Sequence, residues 1–458
     1  MAASNAATVN HAIVAAPMYL FDVSESTLEN GGVACSRSQA MACLFDSLHW
    51  TPHMALNVFV PAASLLSVEE AALHALPYLV GVCALFGIVY TIVAAALMGA
   101  FFARRSPVCD PYTPVTVIKP LSGMEATLLP NLRSFCEQDY PGPVQYLFGV
   151  HDSRDPALEV VKELQRLYPD AHITTIANSE LHGSNRKVSN LLNMLPAARY
   201  DLFVFADSDV TVARDYLSRV VGELQAEGVG LVTCAYVGVP ESGFWPKLSA
   251  RAVDYQFLPG VVTGLRSGLA QPCFGQTIAM RRQTLDAIGG LGQFACLLAE
   301  DHAIGAAVRA TGQKVVVPGF VVGHACPEST ATRLVEHELR WSRTIRRVDP
   351  AGHAGSALSY PVAWSMLALL LAGAAWWSVG LVVVALGARA LLQLRVDTIL
   401  KRPVRGLWLL PLWDLIAFVI LCLSFSSSRV VWRGVSFKVD CQGLLKVEPG
   451  RSSADRII

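Results

Sequence analysis

A long apolar segment in the first quarter of the chain precedes a more polar sequence. Pro77 to Phe102 contains no charged residue over 26 positions. At about 1.5 Å per residue, a helix of this length exceeds the roughly 30 Å of bilayer hydrocarbon. Arg104 and Arg105 follow directly, and basic residues favour the cytosolic side of a span. The pattern predicts a signal anchor over 76–103, with the chain after it in the cytosol.

Hydrophobic positions dominate again after about residue 350. The segment from Leu358 to Leu394 is interrupted only by Arg389. Its length predicts a membrane segment over 357–394, either a tilted span or a tight hairpin. The run from Leu407 to Phe425 predicts a further membrane segment over 407–427.

Basic residues on both sides of this last apolar segment leave its topology open. The link before it contains Arg395, Lys401, Arg402 and Arg405, and the tail over 428–458 contains Arg429, Arg433 and Lys438. A cytosolic link makes 357–394 a hairpin, because basic flanks favour the cytosol. Both flanks cannot be cytosolic with one simple crossing between them. The sequence is therefore compatible with three or four crossings.

Between about 105 and 350 the charged residues concentrate, and short apolar runs alternate with amphipathic stretches. The pattern predicts strands at Val115–Ile118, Tyr146–Val150, Ile173–Ile176 and Leu202–Ala206, and a helix at Pro156–Leu167. This alternation predicts an α/β domain over 110–350 with an open, mostly parallel sheet. Ligands of such sheets bind at the carboxyl ends of the strands, and Asp152 and Asp207 follow two of them.

Composition places the chain among membrane proteins. It is 53% hydrophobic and 16% charged, with a mean hydropathy of +0.42. The 36 basic and 36 acidic residues balance, which gives no support for nucleic-acid binding. Eleven cysteines without a Cys-x-x-Cys pair predict buried thiols in a reducing compartment. Residues 1–70 lack sustained periodicity and predict a poorly structured extension, with a regulatory arm as the alternative.

The sequence Asp207-Ser208-Asp209 stands directly after a predicted buried strand. Two carboxylates one residue apart at a strand end can bind a hard divalent cation such as Mg²⁺ or Mn²⁺, which can bridge a diphosphate. The alternative is an ordinary acidic loop. The position after Leu202–Ala206 favours the metal site.

Glu300 and Asp301 follow a glycine-rich turn and begin a predicted helical run, Ala303–Ala310. A carboxylate at a helix start is often only a cap. The functional alternative is a general base, which removes the proton from an acceptor hydroxyl.

A basic amphipathic stretch contains Arg340 and Trp341. It can form a juxtamembrane collar that binds anionic lipid headgroups. It can also place a guanidinium against a departing pyrophosphate. One interfacial helix can do both.

Several motifs, in this order, resemble the ceramide glucosyltransferase family, a group with the GT-A fold of nucleotide-diphospho-sugar transferases. They are Lys119-Pro120-Leu121-Ser122-Gly123, Asp139-Tyr140-Pro141, His151 to Ala157, Lys187, Asp207, Ala299-Glu300-Asp301 and Arg340-Trp341. The sequence from Gln138 to Gln145 resembles that of the bacterial hopanoid-biosynthesis glycosyltransferases. Those enzymes transfer N-acetylglucosamine from UDP onto bacteriohopanetetrol. The resemblance covers roughly residues 76–435.

The resemblance implies a role for each matching residue. Asp152 is expected to contact the uridine, and Asp207 to bind the metal and the diphosphate. Asp301 is expected to be the catalytic base, and Arg340 and Trp341 to close the site.

Further donor-binding positions are expected from the same resemblance. Lys187 matches a family lysine and is expected to pair with the donor diphosphate, and Lys119 belongs to the first motif. Cys273 matches a family cysteine near the donor, with an inert buried thiol as the alternative.

Three positions bear on the metal site and on the last motif. Asp209 completes an Asp-x-Asp that ceramide enzymes often lack, and His324 is expected to be a further metal ligand. His337 departs from the family, which usually has Gln or Arg there.

The resemblance implies an inverting, metal-dependent lipid glycosyltransferase with a UDP-sugar donor. Its expected place is the bacterial inner membrane, with a cytosolic GT-A domain. The expected acceptor is a hopanoid, with ceramide as the alternative. A processive polysaccharide synthase and a non-enzymatic membrane scaffold are further alternatives.

Overall fold

The structure of the protein is a computed structural model. It describes residues 62–107, 110, 112–427, 429–432, 435–439 and 445–447. Most of the predicted extension over 1–70, and much of the tail over 428–458, lie outside the described residues. A long helix, α1 (Ala62–Phe102), comes first and leads into an α/β domain.

Ten strands build the α/β domain. They are β1 (Val115–Pro120), β2 (Val144–Val150), β3 (His172–Ala177), β4 (Leu202–Phe205), β5 (Val210–Thr211), β6 (Val229–Thr233), β7 (Ala235–Pro240), β8 (Ile278–Arg281), β9 (Lys314–Val316) and β10 (Val321–Cys326). Seven form the central sheet in the order β3-β2-β1-β4-β8-β6-β9. Only β8 runs against its neighbours, β4 and β6, in the described sheet. The predicted open, mostly parallel sheet is therefore confirmed.

Helices cover both faces of this sheet. They are α2 (Leu128–Cys136), α3 (Ala157–Leu167), α4 (Arg186–Met194), α5 (Tyr216–Gln225), α6 (Phe244–Ala252), α7 (Leu258–Ser267), α8 (Arg282–Ala287), α9 (Glu300–Ala310) and α10 (Ala331–Val348). Strand β4 is buried along its whole length, and its side chains alternate between the two faces. Leu202 and Val204 pack in the core that contains α2, α3 and α5, while Phe203 and Phe205 pack in the core that contains α4 and α9.

The four predicted strands and the first predicted helix are confirmed. Their ends differ from the prediction by one or two residues. The predicted helical run Ala303–Ala310 is also confirmed, and its helix begins at Glu300.

A second sheet of three strands, in the order β5-β10-β7, lies beside the carboxyl end of β4. Strand β5 begins one residue after Asp209, and β10 pairs His324 with Val210. The short sheet therefore brings a histidine from late in the chain to the Asp-x-Asp sequence.

Four helices follow the α/β domain, and a small sheet comes after them. The helices are α11 (Pro350–Gly355), α12 (Pro361–Leu371), α13 (Trp376–Ile399) and α14 (Leu409–Ser424), and the strands are β11 (Arg429–Trp432), β12 (Val435–Val439) and β13 (Leu445–Val447). Among the described residues, Glu70–Phe102 and α13 are long and apolar enough to cross a membrane. The helix pair Pro350–Ser359 and Pro361–Leu371 is bent by 63° at its break. If this bent pair counts as one span, the described residues contain up to three candidate spans.

Buried polar contacts join the membrane helices to the α/β domain. A π-helical segment, Val253–Phe257, lies between α6 and α7 and supplies two of the contacts. Asp254 accepts from the Gly238 backbone at 2.8 Å and pairs with Arg402 at 2.8 Å. The Tyr255 hydroxyl donates to Asp397 of α13 at 2.6 Å. This short segment is thus one of the places where the α/β domain is fixed against the membrane helices.

Candidate functional site

Lys187 lies at the centre of a cluster of carboxylates at the carboxyl end of β4. Its Nζ is 2.6 Å from Asp207 Oδ1 and 3.2 Å from Glu300 Oε1. Asn185 begins α4 by accepting from the Val188 backbone at 3.1 Å. Its amide donates to Glu300 Oε2 at 3.0 Å. The start of α4 therefore positions both the lysine and one of its partners.

Asp301 completes the cluster from the first turn of α9. Its Oδ2 accepts from the Gly275 backbone at 2.9 Å, and its Oδ1 accepts from the His302 backbone at 2.7 Å. A Cβ at Gly275 would lie 2.7 Å from Lys187 Nζ and 3.5 Å from Asp207 Oδ2. A side chain at 275 would therefore displace the Lys187 ammonium from the point where these groups meet.

Burial dominates the electrostatics of the three carboxylates. It raises the pKa of Asp207, Glu300 and Asp301, and the Lys187 ammonium opposes this rise in each case. Burial works to lower the pKa of Lys187, but Asp207 and Glu300 outweigh it and raise that pKa. One ammonium among three carboxylates leaves an excess of negative potential, which suits a cationic ligand.

Asp209 pairs with His324. The Asp209 Oδ2 to His324 Nδ1 distance is 3.2 Å. Burial works to raise the pKa of Asp209, but His324 and the two nearby lysines outweigh it and hold that pKa at about 2. Burial opposes protonation of His324, yet Asp209 raises the histidine pKa.

The Asp207 and Asp209 carboxylates fit a divalent cation that is held partly by the protein and partly by the substrate. Asp209 Oδ1 is buried without a hydrogen-bond partner in the described structure. The described residues contain no group of three or more His, Cys, Asp or Glu side chains that could enclose a metal. Mg²⁺ is usually held by one or two carboxylates plus substrate phosphates, so a full protein cage is not needed.

Lys119 supports the Asp-x-Asp loop from below. Its side chain is fully buried, donates to the Asp207 carbonyl at 2.7 Å and lies 3.7 Å from the centre of the Phe135 ring. Burial lowers its pKa to about 7. The structure thus places this predicted donor-binding lysine against the backbone of the Asp207-Ser208-Asp209 loop.

Asp152 lies at the same edge of the sheet, beyond the end of β2. Its side chain is exposed and accepts from the Arg154 backbone at 2.9 Å. The neighbouring His151 ring bonds the Arg186 carbonyl at 2.8 Å, beside Lys187. Asp155 holds the loop after β1 by accepting from the Gly123 backbone at 2.9 Å. The expected uridine-binding carboxylate therefore borders the cluster.

Trp341 lies on α10 within an aromatic group. Its ring centre is 5.7 Å from His324 and 6.1 Å from Tyr236. His337, one helical turn earlier, contacts the Trp341 ring edge-on at 4.6 Å. The expected closing residue is thus beside the expected metal ligand His324.

Glu328 is a residue that the sequence reasoning missed. It is buried, stands two residues after β10 and bonds Nδ1 of His337. Burial lowers the pKa of His337, the bond to Glu328 opposes this, and Arg340 and His324 lower the pKa further. This contact closes the turn between β10 and α10. The sequence shows a carboxylate nine positions before His337, but it does not show that the two side chains bond to each other.

Arg340 and Cys273 occupy buried surroundings. Burial lowers the pKa of the Arg340 guanidinium, while Glu338, Tyr236 and Asp209 act to raise it. The Cys273 side chain packs against Gly305, and burial raises its pKa, so the thiol stays protonated.

Comparison with known proteins identifies the family. A family model described as glycosyl transferase family 21 matches residues 79–445. The chain belongs to glycosyl transferase family 21. The predicted GT-A fold follows from this membership and agrees with the observed sheet.

Curated relatives of this family 21 chain are similar over part of their length. Ceramide glucosyltransferase 1 of Caenorhabditis elegans is 27% identical over 278 residues, covering 60% of this chain and 56% of that protein. The ceramide glucosyltransferase of Komagataella phaffii is 34% identical over 133 residues, covering 28% and 26%. Beta-monoglucosyldiacylglycerol synthase of Synechocystis is 26% identical over 189 residues, covering 39% and 37%. The chain spans about half the length of ceramide glucosyltransferases 1 and 3 of Caenorhabditis elegans, 56% and 49% respectively.

Solved structures show a more distant likeness to this family 21 chain. A mannosyltransferase from Pyrobaculum calidifontis, in complex with GDP-Man and Mn²⁺, is 21% identical with a TM-score of 0.47. The match covers 77% of this chain and 98% of the mannosyltransferase chain.

Replacing Glu328 by Ala should reduce glycosyl transfer by roughly tenfold, the factor expected from losing one hydrogen bond to a charged group. Glu328→Gln should retain most of the rate, because the amide oxygen still accepts from His337. Steady-state transfer rates at equal amounts of folded protein measure this. Glu336→Ala is the matched control, since Glu336 is exposed on α10, the helix that carries His337. A Glu328→Ala rate equal to that of the control would show that the Glu328–His337 contact is not needed for transfer.

Proposed function

We propose that the protein is a membrane-bound, inverting glycosyltransferase that moves N-acetylglucosamine or glucose from a UDP-sugar onto a lipid hydroxyl. One observation carries the proposal. Asp207, Glu300 and Asp301 meet around Lys187 at the carboxyl edge of a sheet that is joined directly to membrane helices. Such an edge is where open α/β sheets bind their ligands.

Donor binding uses the loops around this cluster. Asp152, at the end of β2, is proposed to bind the uridine, and Lys187 is proposed to pair with the diphosphate. For Lys187 this means exchanging a carboxylate partner for a phosphate one, since both bind an ammonium as anions. Lys119 supports the same loop from below. Cys273 packs nearby against α9 as an uncharged thiol.

Asp207, Asp209 and His324 are the proposed ligands of Mg²⁺ or Mn²⁺. When bound, the cation would neutralise the charge that develops on the leaving diphosphate. Asp209 already has a free buried oxygen. His324 would have to give up its proton, because a histidine binds metal only as the neutral ring.

Asp301 is the proposed general base. Two backbone donors fix its carboxylate, and its raised pKa makes it a better proton acceptor than an exposed aspartate. It removes the proton from the acceptor hydroxyl, whose oxygen then attacks the anomeric carbon as the bond to the diphosphate breaks. One base and one displacement give inversion at that carbon.

Arg340 and Trp341 are proposed to close the site from α10. The buried guanidinium can stabilise the departing diphosphate, since buried charges interact more strongly than exposed ones. Trp341, packed on His324 and Tyr236, would exclude water from the reacting carbon.

The proposed acceptor is a hopanoid, bacteriohopanetetrol, because the sequence from Gln138 to Gln145 resembles that of the hopanoid-biosynthesis glycosyltransferases. The names of the relatives favour ceramide as the second candidate. We further propose the bacterial inner membrane as the location, with the α/β domain in the cytosol. Arg104 and Arg105 after α1 support that side.

Lipid analysis tests this function. Membranes containing the protein are incubated with labelled UDP-glucose and UDP-N-acetylglucosamine in parallel, with bacteriohopanetetrol or ceramide supplied. A labelled lipid that forms only with the active protein identifies donor and acceptor together. If neither donor labels a lipid, the proposal is wrong.

Asp301→Asn should lower transfer by about 100-fold or more, because the amide cannot take the proton. UDP-sugar binding should stay near the original level, since the shape is preserved. Transfer rates and donor affinity measure the two effects. Asp286→Asn, at an exposed position on α8, is the control. Retained turnover in Asp301→Asn would exclude Asp301 as the base.

Removing divalent ions with a chelator should stop transfer, and added Mg²⁺ or Mn²⁺ should restore it. Asp209→Asn should raise the metal concentration needed for half-maximal rate, because one charged ligand is lost. The rate is measured against metal concentration for both proteins. Full activity in excess chelator would show that transfer needs no divalent metal.

A further inference from the structure

We propose that helix α14 lies in the plane of the membrane surface, on the side of the α/β domain, and does not cross the bilayer. One apolar face of α14 would contact lipid acyl chains, and the opposite face would cover the α/β domain. The lipid bilayer is therefore the partner of this surface. Hydropathy alone had predicted a membrane segment here and left its direction open.

Length is the first argument. Helix α14 has 16 residues, whereas α13 has 24. At about 1.5 Å per residue α14 is roughly 24 Å long, less than the roughly 30 Å of hydrocarbon that a span must cross.

The beginning of α14 is tied to the α/β domain. Arg251 of α6 donates to the Arg405 carbonyl at 2.5 Å and to the Gly406 carbonyl at 3.2 Å. Gln393 of α13 donates to the same Arg405 carbonyl at 2.8 Å. The start of α14 therefore lies at the end of α13 that faces the α/β domain.

The other end of α14 is tied to the same side. Arg346, in the last turn of α10, donates to the Ser427 carbonyl at 3.0 Å. The His353 ring of α11 bonds the Ser424 hydroxyl at 2.9 Å. Helices α6 and α10 both belong to the α/β domain, so the two ends of α14 that they bind cannot lie on opposite sides of a bilayer.

The two faces of α14 differ in what they contact. Trp413, Ala417 and Leu421 pack with Leu248 of α6 and Leu334 of α10. The same cluster contains Ala363 of α12. Helices α6 and α10 belong to the α/β domain, so this face covers that domain together with the start of α12.

The opposite face of α14 is apolar and exposed. Leu415, Val419 and Leu423 repeat every four residues along it. Exposed aromatic rings lie at both ends, Trp408 before the helix and Phe425 after it. Such rings favour the boundary between headgroups and acyl chains, which gives this stripe a lipid partner.

The other membrane helices fix which side this is. Tyr78, at the start of the uncharged part of α1, stacks on Trp377 at 5.1 Å near the start of α13, and Gly99 lies against Arg395 near the ends of the two helices. The two helices therefore run in the same direction, and both end at the α/β domain. The bent pair α11–α12 returns the chain to the far side between them.

An in-plane α14 also removes the conflict between the two basic flanks. The link with Lys401 and Arg402 and the tail with Arg429 and Lys438 then lie on one side of the membrane. Basic flanks on a single side agree with the usual charge bias of membrane proteins.

Protease accessibility in sealed vesicles of known orientation tests the topology. One protein carries a protease site appended at its C-terminus, and a matched one carries the same site in the 372–375 turn between α12 and α13. We expect the C-terminal site to be cut from the side that exposes the α/β domain, and the 372–375 site from the opposite side. A C-terminal site cut together with the 372–375 site would overturn the proposal.

A second, independent test replaces one exposed valine on each helix by lysine. Val419 of α14 is 55% exposed and Val384 of α13 is 52% exposed. An ammonium on an in-plane helix reaches the headgroups, so Val419→Lys should keep close to the original amount of membrane-inserted protein. Val384→Lys should reduce it severalfold, because its charge enters the hydrocarbon. Equal losses in both variants would contradict an in-plane α14.

Discussion

A single half-buried ammonium holds the candidate site together. Lys187 contacts Asp207, which follows β4, and Glu300 of α9, and no local sequence pattern connects these two residues. Burial raises the pKa of these carboxylates, and the lysine opposes that rise. The charge of the lysine therefore works to keep the carboxylates ionised in a partly buried place. The ability to bind a cation and to accept a proton both depend on this balance.

The same edge of the sheet connects the chemistry with the membrane. Strand β10 carries His324 to Asp209, and then turns through Glu328 into α10 with Trp341. The π-helical segment beside it contacts α13 through Tyr255. Packed elements of the protein thus connect the carboxylate cluster with the membrane helices.

Part of this arrangement could be predicted from the sequence. Leu202–Phe205 is a continuous apolar run, which identified a buried strand, and the strand-end rule then selected Asp207. The Lys187 to Glu300 contact joins residues far apart in the chain, and the hydropathy pattern contains nothing that pairs them. Glu328 was missed for the same reason. For α14, an apolar run looks the same whether the helix crosses the bilayer or lies along it.

The most direct test of the central role of Lys187 is the pH profile of kcat/KM for transfer in Lys187→Met, compared with Lys187→Arg. Burial raises the pKa of Asp301 and Lys187 lowers it, so loss of the charge should raise it further. The base would then be protonated up to higher pH. The account predicts that the acid limb moves to higher pH in Lys187→Met and stays near its original position in Lys187→Arg. An unchanged acid limb in Lys187→Met would contradict it.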